Sequence, residues 1–427
     1  MAKSVCFYFQ VHQPFRVAQS SVFTEDNPVI FDGPTDYENK KIFEKVARKC
    51  YLPMNKLLLD IIEKHPEFRA SFSCSGVFLE QCEMFGEIGE KVLNQFKALA
   101  KTGNVEFITE TYYHSLSFLH SKLEFTEQAL LHHKKVQELF GQKPQIFRNT
   151  ELIFSDELAE FIRNLGFKGI LCEGWNIDDP NNVFNAKPVK HEKSHSKITK
   201  KHAPVNMFGL KKKIKPEIKV LTKNYQLSDD IAFRFGDKNW ASFPLFSNTY
   251  ADWIDSTPGD TINLFMDYET FGEHQWEDTG IFDFFAAFPE EFAKRGIKFR
   301  TPSETIEDFE VKGEFSAPEY LSWADEHRDL SAWLENDLQK SAFEELNQLE
   351  QKLHKIRKSR KKEVKDFLHD FRKLQTSDHL YYMSTKYFAD GDVHTYFSPF
   401  DTPYDAFIAF MNALEWFRGR GKKLGIL

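Results

Sequence analysis

Through its first three-quarters the chain repeats one alternation: a short apolar run with strand character, then an amphipathic stretch with helical spacing, then another run. "SVCFYFQVH" sets Val5, Phe7, Phe9 and Val11 against Cys6, Tyr8, Gln10 and His12, the two-residue period of a strand. "MNKLLLDIIEKHP" leads into "RASFSCSG", "GEKVLNQFKALAKTG" into "NVEFITET", and "TEQALLHHKKVQELFG" into "QIFRNTELIF". "SDELAEFIRNLG" leads into "FKGILCEG", and the strand run "TINLFMDYE" is followed by "GIFDFFAAFPEEFAKRG" and the short "IKFRT". Gly103 marks a helix stop, and Ser155 an N-cap followed by Asp156 and Glu157 in the first turn. Strands joined through helices pair in parallel, so the expected class is α/β.

In parallel folds the carboxyl ends of the strands carry the chemistry. Here ionisable residues gather just past those ends: His12, Glu106 with Glu110, Glu151, and Asp267 with Glu269. An open sheet spreads such groups along a line, whereas a barrel gathers them at one mouth, so a barrel is favoured. Residues 1–305 are expected to form this catalytic β/α barrel. Near 185–215 it is interrupted by a Lys- and His-rich stretch, read as a solvated, mobile insertion rather than a polyanion-binding loop. From about residue 306 the chain turns helical to its end at 427. Ala342, Leu346, Leu349, Leu353 and Ile356 recur at helical steps, as do Val364, Phe367, Leu368, Phe371 and Leu374 beyond "RKSRKKE". That pattern predicts a helical hairpin packed on the barrel or on itself.

"FMDYETFGEHQW" places Asp267 and Glu269 among Tyr268, Phe271 and Trp276, where an apolar strand ends. Burial raises the pKa of a carboxylic acid, so Asp267 fits a general acid. Glu269, two residues on, faces the same way if the strand persists. A simple turn cluster is the plainer alternative. Glu151 follows another apolar run beside Arg148 and Asn149, groups that keep a carboxylate ionised or merely make a surface salt bridge. One ionised and one protonated carboxyl are what a glycosidase needs. Glu106, Glu110, Tyr112, Tyr113 and His114 mix carboxylates with rings, as a sugar subsite does. Read alone, His114 is more often structural, and His12 in "VHQP" is equally a turn stabiliser.

Five segments in order, "VHQP", "GNVEFITETYYHSL", "FRNTELIF", "MDYETFGEHQW" and "QTSDHLYYMSTK", resemble the motif regions of glycoside hydrolase family 57, and "NYQLSDDIAFRFGDKNW" resembles its intracellular α-amylase subgroup. The resemblance implies an incomplete seven-stranded (β/α) barrel followed by an α-helical C-terminal region contributing to the cleft. It implies retaining cleavage of α-glucosidic bonds without metal or cofactor. By motif, Glu151 falls on the nucleophile and Asp267 on the acid/base. His12, Glu106, Glu269 and Asp378 fall on substrate-contacting positions, and His114, His274, Trp276 and His379 lie in the same motifs as further candidates for substrate binding. Many members carry a Trp shortly before the nucleophile, where this chain has Phe147-Arg148-Asn149-Thr150.

The expected activity is therefore an α-amylase-type hydrolysis of α-1,4 bonds in an α-glucan or maltooligosaccharide through a glucosyl–Glu151 intermediate. Retention calls for carboxyls roughly 5–5.5 Å apart. A 4-α-glucanotransferase on the same site, a metal-dependent carbohydrate deacetylase and a non-catalytic glucan-binding protein are the alternatives; a scaffold built on the hairpin ranks last. The deacetylase needs His and Asp ligands in tight pairs, which His12, His114, His274 and His379 do not form in sequence. A net charge of -8 argues against a nucleic-acid partner. No apolar run is long enough to span a bilayer. The five cysteines (Cys6, Cys50, Cys74, Cys82 and Cys172) include no C-x-x-C pair, and the N-terminal stretch lacks a signal-peptide pattern, so a cytoplasmic protein with reduced thiols is expected. The sequence leaves the oligomeric state open.

Overall fold

The structure is a computed structural model that describes residues 3–19, 30–32, 38–175, 177–189, 217–386 and 398–427. Most of the Lys-rich stretch near 185–215 lies outside the described residues. The strands are β1 (Ser4–Val11), β2 (Ala70–Cys74), β3 (Val105–Phe107), β4 (Ile146–Arg148), β5 (Gly169–Cys172), β6 (Val183–Ala186), β7 (Lys219–Thr222), β8 (Thr261–Asp267), β9 (Lys298–Phe299) and β10 (Val311–Phe315). They form two five-stranded sheets, one ordered β3-β2-β1-β8 with β9 also on β1, the other β10-β6-β7-β5-β4.

The two sheets meet where the chain beyond β3 runs on to β4 in a parallel bridge between Thr109 and Phe147. Seven parallel strands therefore follow one another: β8, β1, β2, β3, β4, β5 and β7. Between β7 and β8 no ladder forms. There β7 pairs antiparallel with β6, and the Asn263 side chain donates to the Thr222 carbonyl at 2.9 Å across the gap. This open seam fits an incomplete seven-stranded barrel.

The alternation in β1 separates its two faces. Val5, Phe7, Phe9 and Val11 pack outward against the helices, where Phe7 and Phe9 meet Phe285, Phe288 and Tyr268. Cys6 and Tyr8 turn inward with Phe265, Ile108, Ile146 and Leu171. Both faces are buried, as a parallel sheet covered by helices requires. Register then stacks the interior in layers: Tyr8 stands beside Phe265, and Gln10 beside Asp267 and Ser73. The interior is thus apolar at its base and polar toward the carboxyl ends of the strands.

Caps fix where helices start. Ser155 accepts from the Leu158 N–H, as its sequence position implies, and Asn336 forms a capping box with Gln339. The expected hairpin is present as helices Asp337–Leu353 and Lys362–Lys373. It packs both on itself and under a third helix, Pro403–Lys423, through Leu346, Leu349, Phe367, Phe371, Phe410 and Phe417. Arg372 binds Glu124 of the barrel helix Lys122–Phe140 at 2.8 Å and joins the two parts. The chain does not turn wholly helical at 306: β10 extends the second sheet, and an irregular strap, residues 316–330, follows before the helix Ser331–Leu334.

No described helix is long and apolar enough to cross a membrane. All five cysteines are buried and free.

Candidate active site

A cleft of about 370 Å³ opens at the carboxyl ends of the parallel strands. Its lining includes His12, His114, Glu151, Asp267, Glu269, His274 and Asp378. His12, Glu151 and Asp267 come from the ends of β1, β4 and β8, His114 from the segment beyond β3, and Asp378 from beyond the hairpin. A bridge between Ser115 and Thr376, with the Ser377 N–H donating to the His114 carbonyl at 2.9 Å, brings Asp378 there.

Glu151 sits in a 3-10 turn after β4 with φ at 58°, and Leu152 follows at 51°. Neither is glycine, so the surrounding packing must hold this left-handed backbone against its intrinsic cost. His114, at φ 50°, shares the feature. These two strained residues touch: His114 Nε2 lies 3.2 Å from Glu151 Oε1 and its Nδ1 2.7 Å from Glu110 Oε2. Two carboxylates can only accept, so both ring nitrogens donate and His114 is an imidazolium. Burial works against that charge, but Glu110 and Glu151 outweigh it and raise the His114 pKa to about 9. Burial likewise opposes ionisation of Glu151, yet the bond and charge of His114, then Arg148 and the Trp323 indole, hold it below the usual carboxylate range.

Asp267 ends β8 and moves the other way. Burial, reinforced by the charge of Glu151, raises it to about 6 against weaker pulls from Arg148 and His114. Glu269 is raised to about 8 by burial and by Asp267, and it accepts from the Tyr51 hydroxyl at 2.5 Å. The condition under which Glu269 would face the same way as Asp267 by strand alternation, that the strand persists, is not met. The strand stops at Asp267, and a 3-10 turn buries Tyr268 in the core while aiming Glu269 at the cleft. Gly272, at φ 101°, closes this turn so tightly that a Cβ there would meet the Lys49 carbonyl at 1.9 Å. Tyr51 comes from a π turn, Ala47–Tyr51, inside the long helical run facing it.

His12 stacks on His114, centroids 4.0 Å apart. Burial and the neighbouring imidazolium lower its pKa, so one proton-bearing cation in the pair is His114. His12 Nε2–H then donates to Asp378 at 2.9 Å, while Nδ1 accepts from Ser75 Oγ–H at 2.7 Å. Burial resists the Asp378 charge, but His12 and His114 depress its pKa strongly.

Three expected contacts are not in the cleft lining. Glu106 lies within the ladder of β3 and accepts from the Ser303 N–H at 2.9 Å and its hydroxyl at 2.5 Å. The pairing runs on past Phe107 through Thr109, so the mouth is reached only at Glu110, which accepts from Gln10 at 3.0 Å. His379 turns into the helical core toward Phe410 and Tyr382, and burial lowers its pKa to about 4. Trp276 is 57% exposed outside the cleft, with Lys49 Nζ 4.5 Å over its ring. His274 does line the cleft rim, its pKa lowered to about 4 by burial.

The sequence reading missed Trp323. This strap residue donates from Nε1 to Glu151 Oε2 at 2.7 Å, and its ring covers Arg148 at 4.9 Å. Arg328 anchors the strap by donating to the Trp323 carbonyl at 2.6 Å and pairing with Asp229 at 3.1 Å. Among the described residues no group of three or more His, Cys, Asp or Glu is arranged to hold a metal ion.

The geometry can be set beside known proteins. A protein of Methanocaldococcus jannaschii named "Putative alpha-amylase" is 40% identical over 435 residues, covering 98% of this chain and 85% of its own. Two solved structures share the fold at low identity. A branching enzyme from Pyrococcus horikoshii matches with a TM-score of 0.65 and 15% identity over 97% of this chain and 88% of its own. A 4-alpha-glucanotransferase from Thermococcus litoralis matches with a TM-score of 0.55 and 17% identity over 93% of this chain, which spans only 54% of that enzyme. The family model for glycosyl hydrolase family 57 matches residues 6–318. On that match and the archaeal relative, this chain is a glycoside hydrolase and belongs to glycosyl hydrolase family 57.

Proposed function

We propose that the protein hydrolyses α-1,4-glucosidic bonds in α-glucans and maltooligosaccharides with retention of configuration, Glu151 serving as nucleophile and Asp267 as acid/base. One observation carries this reading: the two carboxyls line one cleft with pKa values displaced in opposite directions by their surroundings. The name of the archaeal relative supports the α-amylase activity.

In the first step Asp267 gives its proton to the glycosidic oxygen as the bond to the anomeric carbon breaks. Glu151 attacks that carbon and forms a glucosyl ester. His114 and Trp323 donate to the two Glu151 oxygens, which orients the carboxylate and stabilises it again when it leaves. Asp267 then takes a proton from water, the water attacks the anomeric carbon, and the free enzyme returns. Glu269, held protonated by its surroundings, and the His12–Asp378 pair are suited to hydrogen-bond sugar hydroxyls. In this reading the barrel and the helical region that delivers Asp378 act as one catalytic unit.

Product analysis with maltoheptaose tests the proposal. Shorter sugars alone, released first as the α-anomer and abolished by Glu151→Ala, are expected. Longer sugars as well would make the enzyme a transferase, a β-anomer first would overturn retention, and binding without release of reducing ends would leave only a glucan-binding role.

A further inference from the structure

Below the catalytic carboxyls lies a cation that no step above uses. In β4, Phe147 turns outward into the helix-facing core, and Arg148 turns into the barrel beside its register partner Leu171. Its side chain is fully buried, and none of its three guanidinium nitrogens has a hydrogen-bond partner among the described residues. Two neighbours define its place: the Trp323 ring at 4.9 Å and Glu110 Oε2 at 3.9 Å.

We propose that Arg148 is a positioning residue for glycosidic cleavage: its sealed guanidinium supplies the fixed positive charge that keeps Glu110 and Glu151 ionised and limits how far Asp267 is driven toward its protonated form. The proposal rests on the reading of Glu151 and Asp267 given above. Sealed under Trp323, the guanidinium meets no sugar, so it must act through these neighbours. The charged and titratable groups around it come from every wall. Glu110 and His114 lie beyond β3, Glu151 beyond β4 and Asp267 on β8. Tyr8 is on β1, and Lys223, beyond β7, shares the Trp323 ring at 5.6 Å. His114 also serves the carboxylates, but it titrates; a guanidinium keeps its charge at any pH the enzyme meets. Its influence lowers the pKa of Glu151 and Asp267 alike.

A fixed cation near both groups has a signature that packing alone lacks. Activity requires Glu151 ionised and Asp267 protonated, so kcat/KM follows a bell whose two limbs report them. In Arg148→Met both limbs are expected to move to higher pH together, by about one unit. In Arg148→Lys they are expected to stay near the wild-type positions. The measurement is kcat/KM on an aryl α-maltooside across pH for wild type and both variants, with folding checked by circular dichroism. Arg148→Gln serves as the neutral variant if the Met replacement does not fold. Limbs that coincide with wild type in the neutral variant, whatever the loss of rate, would overturn the proposal. A wild type without hydrolytic activity would instead overturn the reading it rests on.

Discussion

Trp323 donates its indole N–H to Glu151 Oε2 at 2.7 Å from 172 residues away in the chain, and its backbone N–H donates to the Glu151 carbonyl at 3.2 Å. The strap thus grips Glu151, the proposed nucleophile, by both side chain and main chain. A hydrogen bond to an ionised group contributes about 1.5–3 kcal/mol. Trp323→Phe keeps a ring over Arg148 but removes the donor. Its kcat/KM is expected to fall by about 10- to 100-fold, and its acid limb to move to higher pH because Glu151 loses a stabilising partner. The alkaline limb, set by Asp267 near pH 6, should stay, which separates this variant from a neutral replacement of Arg148. Equal displacement of both limbs would contradict the assignment.

His114 links the site to stability. Its pKa is raised from 6.5 to about 9 by Glu110 and Glu151 against burial. The folded state therefore holds the proton more tightly than the unfolded chain. That contribution, about 3 kcal/mol at full strength, is present below pH 6.5 and is lost as pH rises through 9. Wild-type Tm should fall between pH 7 and pH 10, while His114→Gln should start lower at pH 7 and change less across the interval. Parallel curves for the two proteins would show that His114 is not the titrating group.

The parts of this molecule that were legible in the sequence are those with local periodicity or local motifs. The β1 alternation separates helix-facing Phe7 and Phe9 from barrel-facing Tyr8 and Gln10 because side chains in a strand must alternate. The stripe from Ala342 to Leu353 finds the hairpin for the same reason at helical period. Trp323 was not legible. It sits in a strap with no period, and its partner is fixed by tertiary folding alone. Trp276 and His379 sit in motif stretches beside cleft residues, yet one turns to solvent and the other to the helical core. Motif membership locates a segment, whereas the direction of each side chain depends on where its strand or turn ends.

Glu106 illustrates that limit and can be tested. Its carboxylate takes the Ser303 N–H and hydroxyl at the start of helix Pro302–Asp308. It should act on stability and not on substrate. Glu106→Gln is expected to cost about 1–2 kcal/mol in chemical denaturation and to leave KM for maltoheptaose unchanged. Glu110→Gln should do the reverse of leaving catalysis alone, since it removes a charge partner of His114. A raised KM in Glu106→Gln with unaltered stability would return Glu106 to the substrate site.

Phe233 lines the cleft although the residue is 62% exposed. It sits on the π turn Asp230–Arg234, which presents the ring to the opening instead of the core. Leaving so large an apolar face in water is unfavourable unless something covers it in the working state, and the apolar face of a glucose ring suits a flat aromatic surface. Its exposure at the cleft makes it the expected partner for sugar units remote from the cleaved bond. Phe233→Ala should raise KM for maltoheptaose about five- to tenfold, from loss of about 1 kcal/mol of apolar contact. It should leave kcat, Tm and the KM for maltotriose close to wild type, because the ring supports neither the core nor the reacting groups. A matching rise in KM for maltotriose would move the ring next to the cleavage point. No change for either sugar would mean that the glucan chain leaves the cleft on another side, and comparing the two lengths in one variant separates these routes.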